Sequence, residues 1–184
     1  MELTLPDAAL VLLIGIGGCG KSTFAERHFI PTEVLSSDGC RAIVADDPND
    51  QSATSDAFAV LRFILDKRLK RQLLSVVDAT SLDRKARKPY LGLARKYGVP
   101  PVAIVLDLPF EVCLERDRQR SDRTVGNEVL RRQRGDLERG LRQLDGEGYV
   151  AVHILGDPDA VQRAEIVREL FVQSCPIGAA PTGT

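Results

Sequence analysis

Val11-Leu-Leu-Ile-Gly-Ile-Gly-Gly-Cys-Gly-Lys-Ser-Thr23 is the stretch that decides the fold of this chain. The apolar run before Gly15 reads as a buried strand, and a glycine-dense turn follows it. Gly15-x-x-x-x-Gly20-Lys21-Ser22 then has the spacing of a phosphate-binding loop leading into a helix. The chemistry accounts for the spelling. Gly15, Gly17, Gly18 and Gly20 let backbone N–H groups turn inward and approach a triphosphate with no Cβ in the way. The positive end of the helix dipole adds to that anion site. Lys21 is placed to reach the β- and γ-phosphates, and the Ser22 hydroxyl to hold Mg²⁺ (or Mn²⁺); Thr23 completes the set expected to bind ATP.

Outward from this loop, strand and helix patterns alternate. A helix is expected from Lys21 to Phe29, a short strand at Glu33–Ser37, a polar loop at Asp46–Gln51, and a helix from Asp56 with Phe58, Leu61, Leu65 and Leu69 on one face. Leu73–Asp78 reads as a third strand, and Asp83–Tyr97 as a helix strained or restarted at Pro89. Val102–Asp107 is a fourth strand, and the helix from Phe110 turns strongly basic. Asn127 is expected to cap a helix striped by Leu130, Leu137, Leu141 and Leu144. Tyr149–Leu155 is a fifth strand, and a helix over 159–171 is expected to close the domain. This alternation predicts an α/β fold of the P-loop phosphotransferase type. It has three layers: a roughly five-stranded parallel sheet with helices on both faces, plus an arginine-rich lid. Residues 1–172 form the domain, the lid spans about 116–126, and the Pro/Gly-rich 173–184 reads as a flexible tail or truncated linker.

Composition bounds the function. The chain has 184 residues, 43% hydrophobic and 28% charged, the balance of an ordinary globular domain. It shows no membrane-length apolar run and no basic leader, so the expected location is cytoplasmic without a membrane partner. The four cysteines are widely spaced, and the two histidines, His28 and His153, offer no metallohydrolase set. A net charge of −1 excludes a global field for nucleic acid. Basic clusters at 67–71, 84–88 and 116–123 are either solvated helix faces or local phosphate contacts. An Asn-Lys-x-Asp guanine motif is absent, which argues against a GTPase switch.

In a parallel sheet with right-handed crossovers, ligands bind at the C-terminal strand ends, so the loops there are the candidates for chemistry. Asp38 follows the second strand. If the first two strands are close, it faces the γ-phosphate from the acceptor side and can take the proton of an attacking hydroxyl. Arg41, one helical step on, suits a phosphate beside that hydroxyl. The alternative is that Ser37 or Asp38 only caps a helix. Asp78 ends the third strand, where a carboxylate supports Mg²⁺ directly or through water. Arg116 and Arg120 lie one turn apart in a segment with four arginines in eight residues, suited to closing over charge that develops during phosphoryl transfer. Alternatively, Glu115 and Asp117 pair with these arginines on a solvated helix.

Taken together, Gly15–Ser22, Ser36-Ser-Asp-Gly-Cys-Arg41, Asp46-Asp-Pro-Asn-Asp-Gln51, Val76-Val-Asp-Ala-Thr80, Ala86-Arg-Lys-Pro89 and the 116–123 segment resemble the kinase domain of bacterial polynucleotide kinase-phosphatases. The resemblance spans residues 11–171. It implies ATP-dependent phosphorylation of the 5′-hydroxyl end of RNA or DNA in end healing. Asp38 is then the general base, and Lys21, Arg116 and Arg120 act on the ATP phosphates. Ser22 and Asp78 attend the metal, and Arg41 holds the phosphate next to the 5′-nucleoside. Gln51 is an accessory acceptor contact, and Arg123 an accessory ATP contact. Cys19 and Gly39 depart from the family pattern, and Cys19 suggests oxidation-sensitive ATP binding. Family members usually continue into phosphatase and ligase-like modules, expected here in a longer parent or as separate partners. Two other readings stay open. One is a P-loop kinase for a small-molecule hydroxyl, favoured by the neutral charge and the lack of tryptophan. The other is a nucleotide-switched regulatory module.

Overall fold

The computed structural model describes residues 1–120 and 124–170. Five parallel strands form the central sheet: β2 (Leu10–Ile14), β3 (Val34–Ser36), β4 (Ser75–Asp78), β5 (Pro101–Leu106) and β6 (Ala151–Leu155), in the order β3-β4-β2-β5-β6. Every residue of β2 and β4 is buried, as expected of strands covered on both faces and written as unbroken apolar runs. The edge strands are poorer: β3 is three residues long, and β6 alternates poorly and leaves Ile154 half exposed.

The connections explain the layers. From β2 the chain passes through α1 (Lys21–His28) to the edge at β3, then returns through α2 (Ser37–Ala45) and α3 (Thr54–Lys70) to β4. It crosses β2 through α4 (Arg84–Tyr97) to β5, and reaches β6 through α5 (Phe110–Arg118) and α6 (Asn127–Leu141). One connection steps one way and the others step back, so right-handed crossovers put α1 on one face and α3, α4 and α5–α6 on the other. The reversal occurs at β2. The crevice beyond its C-terminal end is therefore the topological switch point of the sheet. This is the architecture of a P-loop kinase.

Three local expectations are revised. α4 runs unbroken through Pro89, whose missing N–H falls on an exposed face of the helix. Asn127 is the first residue of α6, and the cap is Gly126, with no side-chain cap bond; Asn127 Oδ1 instead accepts from Arg131 Nε at 3.1 Å. The expected helix over 159–171 is only α7 (Pro158–Arg163), followed by a strand, β7 (Glu165–Glu169). β7 pairs in parallel with β1 (Glu2–Pro6), which the sequence reading left unassigned. Leu3 and Leu5 of β1 are fully buried, alternating with exposed neighbours. β7 is anchored further by Arg168, which donates to both carboxylate oxygens of Glu33 at 2.8 Å. Among the described residues, no helix is long and apolar enough to cross a membrane. The expected tail at 173–184 lies outside the described residues.

Candidate phosphoryl-transfer site

The loop between β2 and α1 has the backbone its glycines allow. Gly18 and Gly20 adopt φ of +73° and +93°, a region other residues rarely enter. A Cβ on Gly18 would also stand 2.2 Å from the Cys113 carbonyl oxygen, so the loop is pressed against α5. Lys21 Nζ folds back over the loop, donating to the carbonyls of Gly15 and Ile16 at 2.9 Å, with Cys19 Sγ at 3.6 Å. Cys19 itself is buried.

Ser22 Oγ donates to Asp78 Oδ2 at 2.7 Å, joining the start of α1 to the end of β4. Burial pushes the Asp78 carboxyl above its ordinary value and Asp38 adds repulsion, while the bond from Ser22 and the charge of Lys21 pull it back down. A buried carboxylate beside a hydroxyl is a hard-oxygen pair suited to Mg²⁺, which takes one or two such ligands and fills its shell with water and phosphate. The residues present therefore fit the metal.

At the end of β3, Ser36 is the N-cap of α2, its Oγ accepting from Gly39 N at 3.3 Å. The capping alternative for Ser37 or Asp38 is thereby removed, and the Asp38 carboxylate, about half exposed, is left open to the cleft. Arg41 forms an ion pair with Asp38 through Nη1, which also donates to the Pro48 carbonyl at 2.9 Å. The helical spacing anticipates the shared face, but the resting partner of Arg41 is Asp38 itself. Arg41 Nε is buried and has no protein partner.

The basic segment divides at its middle. Arg116 and Arg118 end α5, Arg120 follows, and residues 121–123, including Arg123, lie outside the described region. The alternative in which Asp117 pairs with the arginines is overturned. Asp117 is buried, and its carboxylate accepts from Val125 N at 2.9 and 3.0 Å and from Gly126 N at 3.0 Å, tying the far side of the segment to α5. Glu115 accepts from Gln119 Nε2 at 2.8 Å. Arg116 has no ion pair or hydrogen bond among the described residues, and its Nη1 lies 3.6 Å from where a Cβ on Gly20 would sit.

These groups meet in one cleft of about 1120 Å³. Gly17, Gly18, Gly20, Lys21, Ser22, Thr23, Asp38, Arg41, Gln51, Asp78, Arg116 and Arg120 all line it, whereas Gly15 does not. Arg132 and Gln133 of α6 also line it and were not anticipated. Gln133 Oε1 accepts from Gly17 N at 2.8 Å, so α6 touches the glycine loop directly. The available signal was a polar residue three positions after Leu130, on the apolar stripe of its helix. Asp117 gave a similar one, four residues after the buried Cys113.

A chain of the Pnkp1/Rnl/Hen1 RNA repair complex superposes with a TM-score of 0.64 at 21% identity, over 77% of this chain and 47% of that one. This chain thus spans about half the length of that relative. A sugar kinase from a Janibacter species gives 0.54 at 19% identity, over 84% and 91% of the two chains. A gluconokinase from Sinorhizobium meliloti 1021 gives 0.50 at 20% identity, over 83% and 84%. At such identities these likenesses speak for the fold alone. The curated proteins contain no match to the sequence. A family model described as AAA domain matches residues 10–140, from the start of β2 nearly to the end of α6. With the glycine loop, the Ser22–Asp78 pair and the crossover order inside that span, the chain belongs to the AAA domain family and is a P-loop domain of phosphotransferase architecture.

Proposed function

We propose that this chain transfers the γ-phosphoryl group of ATP to a hydroxyl, and that the acceptor is the 5′-hydroxyl end of an RNA or DNA strand. The supporting observation is the Asp38–Arg41 pair. Asp38 is released from capping and faces the cleft that the glycine loop enters. Beside it is a guanidinium with a buried Nε that no protein group satisfies. A base next to a guanidinium with a spare buried donor suits an acceptor that carries an anion close to its hydroxyl. The terminal nucleotide of a strand, with its phosphodiester, has that form.

In this reading, backbone N–H groups at 17–22 and Lys21 hold the donor phosphates. Lys21 exchanges its contacts with the Gly15 and Ile16 carbonyls for phosphate oxygens. Mg²⁺, when bound, would be held by Ser22 and Asp78 and would supply positive charge that offsets the charge of the triphosphate. Asp38 accepts the proton as the acceptor oxygen bonds to the γ-phosphorus and the bond to the ADP oxygen breaks. Arg116 and Arg120 stabilise the charge that develops.

A second reading keeps this chemistry and replaces the strand with a small anionic or polyhydroxy acceptor. Its support is that two of the structural neighbours are named as a sugar kinase and a gluconokinase. The readings separate in one assay: γ-labelled ATP with a 5′-hydroxyl oligonucleotide in one tube, and gluconate or a sugar in others. Label on the oligonucleotide supports the first, and label only on a small acceptor refutes it. In either case Asp38→Asn is expected to lower transfer by about 10²–10⁴-fold with ATP affinity nearly unchanged. Full activity in that variant removes Asp38 as the base.

A further inference from the structure

A second concavity, of about 630 Å³, lies outside the site between α4 and the segment that follows α6. Arg84, Lys88 and Arg95 of α4, with Lys85, line one wall; Gln143, Gly146 and Glu147 line the other. Positions 84, 88, 91 and 95 recur at one, two and three helical turns, so Arg84, Lys88 and Arg95 share a face of α4 with Leu91 between them. Charge on a helix face is ordinarily just solvated. Here the face forms the wall of a hollow, and one of the two acids of that hollow is already paired. Glu147 is held by Arg87 at 2.8 and 2.5 Å, and Asp83 accepts from Ala86 N at 2.9 Å as the cap of α4. Arg84, Lys85, Lys88 and Arg95 have no ion pair or hydrogen bond among the described residues. The four cations thus face one unpaired carboxylate, Asp83, and the hollow carries a net positive charge on a chain whose net charge is −1.

Its place relative to the cleft gives it a use. Thr80 lines the cleft, and Asp83 and Arg84 line the hollow. Arg84 lies four positions after Thr80, so the two mouths lie within about 14 Å along the chain at ~3.5 Å per residue. We propose that the α4 hollow binds the phosphodiester backbone of a single-stranded acceptor, a few nucleotides beyond the end that is phosphorylated. This rests on the polynucleotide reading of the site. Charge complementarity selects the ligand class, because several separate cations along one helix suit a repeated anion better than one compact phosphate.

The test compares a 5′-hydroxyl dinucleotide with a 5′-hydroxyl 20-mer of about the same terminal sequence, using γ-labelled ATP and wild-type or Arg84→Ala/Lys88→Ala/Arg95→Ala protein. All three side chains are exposed, and activity on the dinucleotide certifies that the variant folds. Wild type is expected to favour the 20-mer. The variant should keep its kcat/KM for the dinucleotide and lose roughly tenfold on the 20-mer, with a log–log salt slope shallower by about 2, from three contacts at ~0.7 each. Equal kcat/KM for the 20-mer in both proteins overturns the proposal, as does an equal fall on both acceptors. If wild type labels neither oligonucleotide, the polynucleotide reading itself fails and the strand path with it. That outcome is distinct from a wild type that labels both and a variant that matches it.

Discussion

Arg87 offers the sharpest test of how the cleft wall is built. Its side chain is fully buried and that of Glu147 is 1% exposed. Nε and Nη2 donate to the two Glu147 oxygens at 2.8 and 2.5 Å, Nη1 to the carbonyls of Ser81 and Leu82 at 3.0 and 2.7 Å, and Nη2 to Gly140 at 3.3 Å. One guanidinium thus ties the loop that follows Asp78 to the end of α6 and the turn beyond it. Arg87→Met leaves a buried carboxylate and the Ser81 and Leu82 carbonyls without that donor. Breaking a buried pair from one side costs about 3–5 kcal/mol. At ~2–4 °C per kcal/mol for a domain of this size, thermal unfolding should fall by roughly 6–20 °C. Arg87→Met/Glu147→Leu removes both charges and should recover most of the loss, because a buried pair replaced by apolar groups is often close to neutral. Differential scanning calorimetry on the three proteins decides. A single variant within about 2 °C of wild type, or a double variant as damaged as the single, refutes the argument.

Three further outcomes follow from the site. Gly18→Ala forces a side chain into φ +73° and against the Cys113 carbonyl; a left-handed backbone alone costs about 1–2 kcal/mol. ATP affinity, measured by calorimetry, should fall at least tenfold, and unchanged affinity would mean the loop does not cradle phosphate. Asp117→Asn weakens the acceptor of the Val125 and Gly126 N–H groups, so stability should drop by about 1–3 kcal/mol and KM for ATP should rise; an unchanged denaturant midpoint would sink this. Asp78 has a folded pKa raised by burial, so its contribution to stability is fully present below the unfolded value and is lost as pH rises through the folded one. Asp78→Asn should therefore melt above wild type at pH 8 without nucleotide, the gap closing as pH falls through the carboxylate range; a gap independent of pH contradicts it.

How much of this was legible in the sequence depends on where the constraint is carried. The glycine loop constrains the backbone, and positive φ at Gly18 and Gly20 is met at least cost by a residue type that sequence displays openly. The buried strands β2, β4 and β5 announce themselves as apolar runs for the same reason. What stayed hidden depends on partners remote in the chain. β7 exists because Glu165–Glu169 finds β1 at the other end of the molecule, and no local period distinguishes Glu-Ile-Val-Arg-Glu as strand from helix. In sequence Asp117 belongs to a charged helix, and Gln133 is one polar residue among several in α6. Their function comes from N–H groups that only the tertiary packing brings to them. Asp38 lies between these cases: its helix was readable, but that Ser36 takes the cap was not.

The sheet order sharpens the condition on Asp38. β3, which precedes it, is not the neighbour of β2; β4 lies between them. Adjacent strands are about 4.8 Å apart, so the strand leading to Asp38 stands roughly 10 Å from the one leading to the glycine loop. Direct adjacency would leave no room for both a donor phosphate and an acceptor hydroxyl. The intervening strand provides that room and places Asp78 at its end, where Ser22 bonds it from one side and the charge of Asp38 is felt from the other. On the proposed function, the carboxylate that would support the metal stands between the phosphate loop and the base. The same insertion explains why burial raises the Asp78 carboxyl: it occupies the centre of the sheet edge, while Asp38 stands at the rim, half exposed. Donor and acceptor halves are thus held apart by one strand, and the groups that act on each are supplied by different crossovers of the same sheet.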